Sequence, residues 1–390
     1  MNFEFATAGR IIFGPGRSVE IGALTREYGR RAALLTGANA DRHPGIRASL
    51  TAAGITVVPL HWIGRHSEPD IALVIELARQ LREAEVQCVV GLGGGGVLDA
   101  AKAAAALATN PGDPVDYLEG VGRGTALHHA PLPVMALPTT AGTGSEVTRN
   151  AVLNVPSHRA KVSLRHPRML PRVALVDPQL THSVPPELTA TTGLDALTQC
   201  LEPLVCNRSN PMSDALAWTG LNRAVRSLQR AVKNGADADA REDLALASLC
   251  GGLALANSGL GAVHGLAGPL GGLCPAAPHG ALCAALLAPV MAANVRALRE
   301  RAPTHPALER YTAVARTLTG RSSASPEDGV AWIQSLNANL SIRDLQGLGL
   351  QSNEQPLMIE KAQTASSMRA NPITLTPAEL AEILTAAGLR

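Results

Sequence analysis

Aromatic side chains are nearly missing from this chain: three Trp, three Tyr and three Phe make up 2% of 390 residues. That leaves almost no flat surface on which bases or sugars could stack, and it forces a core of Ala, Leu and Val. Charge is also sparse, at 17%, with 34 basic against 32 acidic residues and a formal net charge of +2. No block of Lys or Arg occurs, which argues against nucleic acid as a partner. The six cysteines (Cys88, Cys200, Cys206, Cys250, Cys274, Cys283) are scattered, and no CxxC occurs among them. They are too few for a disulfide framework, so reduced thiols and a cytoplasmic home are expected. Met1–Gly14 lacks the basic start and apolar stretch of a signal peptide. The longest uncharged apolar run, Ala281–Ala293, is 13 residues long and contains Pro289. It is too short to span a bilayer and is expected to be a buried helix, so membrane insertion is excluded.

At roughly 150 residues per domain, the length suggests two or three domains. From Arg31 to about Asp177, short β-rich runs alternate with helical stretches. Strands are expected at Ala32–Leu35, Ile55–Leu60, Cys88–Leu92, Val134–Leu137 and Val173–Val176. Pro69–Ala84 repeats its apolar residues with helical period, and Asp99–Thr109 is Ala-rich and helical. Such alternation implies βαβ units and a parallel sheet covered on both faces. The N-terminal FEFATAGRIIFGPG reads as an edge hairpin. Beyond Pro185 strand signals vanish, and helices are expected at Leu188–Leu204, Pro211–Val232, Ala240–Leu255, Ala281–Leu298, Ala307–Leu318 and Thr376–Ala387. Gly320–Pro326 reads as a loop. The expected architecture is therefore an α/β domain over 1–185 and an all-helical domain over 186–390.

Three groups of residues carry chemistry. In Val89–Lys102 (VVGLGGGGVLDAAK) a β-rich run meets four glycines and then a helix. Glycine lets a backbone approach phosphate, and a helix N-terminus presents free N–H groups. The string Gly91-x-Gly93-x-x-Gly96 fits the dinucleotide fingerprint, although it follows the third strand, not the first. The alternative is a turn that only packs a helix on a sheet. Pro138–Thr148 (PTTAGTGSEVT) follows another strand and offers hydroxyls and N–H groups to a phosphate or ribose. Two such loops on one carboxyl edge are more specific than either alone. In the helical half, Asp195 and Gln199 are four apart and share a helix face. His264 and His279 follow. A carboxylate and two imidazoles from separate segments are a familiar way to hold a divalent metal, while a buried core His is the plain alternative.

Taken together, GGGGVLDAAK (Gly93–Lys102), Pro138–Thr148, Lys161, Gly193–Ala196 and His264 to Gly280 resemble the iron-containing alcohol dehydrogenase family. That family includes maleylacetate reductases and has a dehydroquinate synthase-like fold. The resemblance runs from the N-terminus to about residue 300. It implies an NAD(P)-dependent oxidoreductase with a cleft between an α/β cofactor domain and a helical metal domain, working on a small alcohol or aldehyde, and a homodimer. Gly94, Gly95, Gly96 and Asp99 would form the pyrophosphate loop, with Gly37 at the first strand end. Thr139, Thr140, Ser145 and Lys161 would line the path from adenosine to nicotinamide. Asp195, His264 and His279 would be the catalytic core, binding Fe(II) or Zn(II) with Gln199 as a fourth ligand.

The chain departs from the family at three points. Gln199 replaces a His ligand, Gly268 replaces a His beside the nicotinamide, and the spacing from His264 to His279 is 15 where 14 is expected. With Gly268, proton delivery falls to water, another side chain or the cofactor ribose. No acidic residue stands at Gly37–Asn39, and Asp41 is followed by Arg42, so NADP is permitted beside NAD. Arg149, Arg165 and Arg168 could meet a carboxylate substrate, as in a maleylacetate reductase-like, metal-independent activity. A non-catalytic nucleotide-binding protein is the rival of another class.

Overall fold

The computed structural model describes residues 2–39, 42–62 and 68–390. Asp41 thus lies outside the described residues. The chain divides into two compact units, Ala6–Val184 and Pro185–Arg390, the latter joined by Met1–Phe5.

The first unit contains β1 (Arg10–Phe13), α1 (Ile21–Arg26), β2 (Arg31–Thr36), α2 (Pro44–Ala52), β3 (Thr56–His61), α3 (Ile71–Glu83), β4 (Cys88–Gly93), α4 (Gly95–Thr109), β5 (Val134–Pro138), β6 (Asn150–Val155), β7 (Ala160–Arg165) and β8 (Val173–Val176). Six strands form one parallel sheet in the order β1-β8-β5-β4-β2-β3. Alternate residues along each strand face opposite sides. Ala33, Leu35 and Val89 pack with residues of α3 and α4, whereas Ala32, Leu34, Val90 and Leu92 pack with residues of α1 and α2. Both faces are dry, so the strands read as continuous apolar runs.

The winding moves from β2 outward to β3 and returns to the other side of β2 at β4. The strand order therefore reverses between β2 and β4, and open α/β sheets bind ligands at such a point, beyond the carboxyl ends of the strands. Gly37 and the Gly93–Gly96 loop lie at those two ends. The glycine loop follows the third of the wound strands for this reason.

Two local expectations are corrected. The N-terminal segment is not a hairpin, because β1 pairs in parallel with β8. A side chain at Gly9 would meet the Arg172 carbonyl at 2.9 Å, so the glycine lets the backbone lie against that distant segment. A true hairpin lies elsewhere, in β6–β7, closed by Pro156–His158 with Arg159 at φ 44°. Helix α4 also begins at Gly95, earlier than Asp99, so the glycines are its first turn. Eleven of its 15 residues are buried, mostly Ala.

The second unit contains α5 (Pro186–Val205), α6 (Pro211–Lys233), α7 (Ala238–Asn257), α8 (Ala262–Leu273), α9 (His279–Arg301), α10 (Ala307–Thr319), α11 (Pro326–Asn339), α12 (Gln355–Thr364) and α13 (Pro377–Ala386). Helix α5 starts at Pro186, whose missing N–H is no loss in a first turn, and packs on α6, α7 and α9. By length and composition α9 could cross a membrane. Here it is a core helix: Leu282, Leu286, Leu287, Val290 and Met291 are all buried.

A single buried cation organises the sheet's ligand edge. Lys102 on α4 is 1% exposed. Its Nζ lies 3.1 Å from Asp99 Oδ1 and donates to the Ser145 carbonyl at 2.9 Å, to Thr148 Oγ1 at 3.1 Å and to the Asn150 carbonyl. Burial lowers its pKa, against the pull of Asp99 and Glu146. Lys102→Met is expected to strand the Asp99 charge and several acceptors, costing about 3–5 kcal/mol. The exposed Arg79 pairs with Glu76 and Glu83, and Arg79→Ala should cost less than about 1 kcal/mol. Equal midpoint losses in urea for the two variants would contradict this account.

Candidate metal and nucleotide site

The two loops expected to share an edge do so. Strands β4 and β5 are neighbours, with Gly93 opposite Pro138, and the Thr139 N–H donates to the Gly93 carbonyl at 2.9 Å. A side chain at Gly94 would meet Thr140 Oγ1 at 3.3 Å, and one at Gly95 would meet the Thr143 side chain at 2.6 Å. Gly95 is therefore required by contact between the loops, whether or not a phosphate lies there. Helix α4 has no side-chain cap, and with the Val97 N–H donating to the Gly94 carbonyl at 3.0 Å it is the Gly95 and Gly96 N–H groups that remain at this edge as a candidate anion site. A side chain at Gly37 would reach Val97 at 3.7 Å, which puts the β2 end beside the same turn.

Asp99 and Ser145 meet each other at this edge. Ser145 Oγ donates to Asp99 Oδ1 at 2.5 Å, and the Val152 N–H donates to Asp99 Oδ2 at 2.9 Å. With Lys102 also on Oδ1, this carboxylate is used in bracing the Thr-rich loop. Lys161 is bound to Glu68 at 2.6 Å. Arg165 faces Glu119 at 3.6 Å, and Arg168 donates to the His128 carbonyl at 3.2 Å.

In the helical unit, Asp195 (α5), His264 (α8), and His279 and Cys283 (α9) each bring one donor atom within 4.8 Å of the others. Asp195 Oδ1 lies 3.3 Å from His264 Nε2 and 4.0 Å from His279 Nε2. Asp195 is 1% exposed, and Oδ1 has no hydrogen bond among the described residues. Gln199 hydrogen-bonds the Asp195 carboxylate, while its own Oε1 is buried without a partner.

Two members of this site were not foreseen. Glu202 Oε2 receives His264 Nδ1 at 2.6 Å, and Oε1 receives the Val263 N–H at 2.7 Å. A carboxylate on Nδ1 fixes the tautomer and turns the Nε2 lone pair inward, a common support for metal-ligating histidines. Cys283 lies one helical turn after His279. Both have a sequence signal: Asp195, Gln199 and Glu202 fall at i, i+4 and i+7, and His279 and Cys283 at i and i+4.

Electrostatics explains the arrangement. Burial opposes charge on Asp195, yet His279, His264 and Gln199 hold its carboxyl below the ordinary value. Burial likewise opposes a His264 cation, but Cys283, Asp195 and Glu202 outweigh it and hold the imidazole well above its ordinary value. Burial pushes the Cys283 thiol up to about 12. Electron-rich atoms facing one another need a cation, a proton or a metal, between them. A carboxylate oxygen left without a partner, beside two imidazoles and a thiol, fits a divalent metal.

The glycine edge of the first unit and the donor cluster of the second are each of a kind that a nucleotide-dependent, metal-assisted oxidoreductase would use. Residues 8–178 match the family described as "Iron-containing alcohol dehydrogenase", and residues 189–388 match "Fe-containing alcohol dehydrogenase family, C-terminal". Alcohol dehydrogenase 4 of Saccharomyces cerevisiae is 37% identical over 317 residues, 81% of this chain and 80% of that protein. The 1,3-propanediol dehydrogenase of Citrobacter freundii is 33% identical over 98% of this chain and 97% of its own. The crystal structure of sulfoacetaldehyde reductase from Bifidobacterium kashiwanohense, solved with NAD+, superposes with a TM-score of 0.84 at 28% identity, covering 99% of each chain. The chain belongs to the iron-containing alcohol dehydrogenase family and is an oxidoreductase acting on alcohols.

Two outcomes follow from the loop geometry. Gly95→Ala should displace Thr143 and lower both the melting temperature and cofactor affinity. Adding Thr143→Ala, which removes the nearest atoms, should restore part of both losses, a coupling that independent sites would not show. Glu146, buried in the same loop, has its carboxyl raised by burial from 4.5 to about 7. Between those values the folded chain keeps a proton that the unfolded chain has released. Its contribution to stability is therefore present at low pH and lost as pH rises, by about 1.4 kcal/mol per unit, roughly 3 kcal/mol in all. Denaturant melts of wild type and Glu146→Gln should diverge across that window, and parallel curves would remove Glu146 as the titrating group.

Proposed function

We propose that this chain interconverts a small alcohol and its aldehyde, with NAD or NADP at the Gly93–Gly96 and Thr139–Ser145 edge and Fe(II) or Zn(II) at Asp195, His264 and His279. The observation that carries this reading is Asp195 Oδ1, buried without a hydrogen bond and facing two imidazole nitrogens. The NAD+ held by the sulfoacetaldehyde reductase and the alcohols named for the other relatives support the cofactor and substrate class.

The first-turn N–H groups of α4 would receive the pyrophosphate, Thr139 and Thr140 would offer hydroxyls along the cofactor, and Asp99, Ser145 and Lys102 would keep their loop in shape. Gly37 leaves room at the β2 end, and no acidic side chain at Gly37–Asn39 repels a 2′-phosphate. Lys161, held by Glu68, stands at the hairpin side of the Thr-rich loop. When bound, the metal supplies a Lewis acid that stabilises negative charge on the substrate oxygen, while the nicotinamide accepts or donates hydride. Glu202 holds the proton of His264 on Nδ1 and so keeps Nε2 a donor. Gln199 bonds Asp195 and fixes the carboxylate's orientation. Gly268 lies one turn beyond His264 on α8, and a side chain there would meet nothing within 4 Å among the described residues. With no imidazole at that position, water, another side chain or the cofactor ribose would take the hydroxyl proton. The six cysteines, all unpaired, suit a reducing cytoplasm, and the family resemblance suggests a homodimer.

Nicotinamide absorbance followed with short aldehydes, maleylacetate, NADH and NADPH tests this reading. Aldehydes should be turned over, and exhaustive chelation should lower the rate by roughly 100-fold or more, reversed by added Zn(II) or Fe(II). Undiminished turnover of the chelated enzyme, or turnover of maleylacetate alone, would overturn it.

A further inference from the structure

We propose that Cys283 is the fourth protein donor of the metal site, making the set one carboxylate, two imidazoles and one thiolate, and that Gln199 orients Asp195 from outside it. This rests on the metal-assisted reading above and goes beyond it, since the residues from which that reading starts include no sulfur.

The geometry is that of a closing shell. Donors on a tetrahedron around Zn(II), with nitrogen at about 2.0–2.1 Å and sulfur at about 2.3 Å, stand about 3.3–3.6 Å from one another. Cys283 Sγ is 3.8 Å from His264 Nε2 and 3.7 Å from His279 Nε2, and Asp195 Oδ1 is 3.3 Å from His264 Nε2. A single S–H proton can serve one of the two imidazoles, not both. Asp195 Oδ1 remains unbonded in their midst. A cation shared by all four atoms satisfies every one of them.

The helices put the thiol there. His279 and Cys283 are one turn apart on α9, as Asp195 and Gln199 are on α5, so each helix aims two side chains at one point. On α5 the second is a neutral amide already bonded to Asp195. An amide oxygen is a weak donor to Zn(II), whereas a thiolate is a strong one. The i+4 position on α9 thereby supplies the donor that a glutamine on α5 cannot. A thiolate also widens the usual preference of such sites for Zn(II) over Fe(II).

Cobalt alone, titrated into metal-stripped full-length protein, reads this directly. Wild type should develop a near-ultraviolet sulfur-to-cobalt charge-transfer band, and Cys200→Ser should keep it. Cys283→Ser and Cys283→Ala should bind cobalt without the band. Their Zn(II) affinity, by competition with a chromophoric chelator, should fall roughly tenfold or more, at least the loss seen when a supporting contact is removed. Gln199→Ala should keep the band. Cobalt bound by wild type with no sulfur band would overturn the assignment and leave the metal-assisted reading standing, and needs no variant to fold. Failure of wild type to bind either metal would overturn both.

Discussion

A charge removed from water has to be answered by other charges or by dipoles, and each unit of this chain is arranged around one such charge. In the α/β unit it is the Lys102 ammonium, surrounded by Asp99, Thr148 and the carbonyls of Ser145 and Asn150. In the helical unit it is the Asp195 carboxylate, facing two imidazoles and a thiol. The first is fully satisfied by the chain and therefore makes structure. The second keeps an oxygen without a hydrogen bond, and therefore leaves room for a cation. The same physical demand gives a brace where it is met and a binding position where it is not.

That contrast also separates what can be read from the residues alone. The parallel sheet, the helical half and the two loops are legible because their signals are local: apolar runs of strand length, period-3.6 stretches, and glycines where a backbone must lie close to something. Asp195, His264 and His279 could be singled out because few residue types bind metals, and the fold brings a donor atom of each within 4.8 Å of the others. Asp99 and Ser145 show the limit. A carboxylate and a hydroxyl beside a glycine loop look the same in sequence whether or not they touch, and their 2.5 Å contact is visible only in the fold.

The N-terminal strand fails for another reason. Its β-rich run and central glycine fit a hairpin locally, but its partner is β8, far along the chain, and no local pattern names a distant partner. Glu202 and Cys283 are hidden by their company. Glu202 ends a run that reads as ordinary helix, and Cys283 lies within an apolar stretch whose hydrophobicity suggests only burial. Both stand at helical spacing from residues already singled out.

Helix α4 has one more consequence. Its contact surface is made largely of methyl groups, from Ala100, Ala101 and Ala103–Ala106. An alanine has no rotamer to change, so such a surface cannot adjust by rearranging side chains, and any larger residue must move the backbone instead. The glycine turn at its head is thus fastened to the sheet almost as stiffly as the strands are to one another. Any movement around a ligand would have to be carried by other segments, and the stretch from Ala100 to Ala106 leaves evolution very little room to drift.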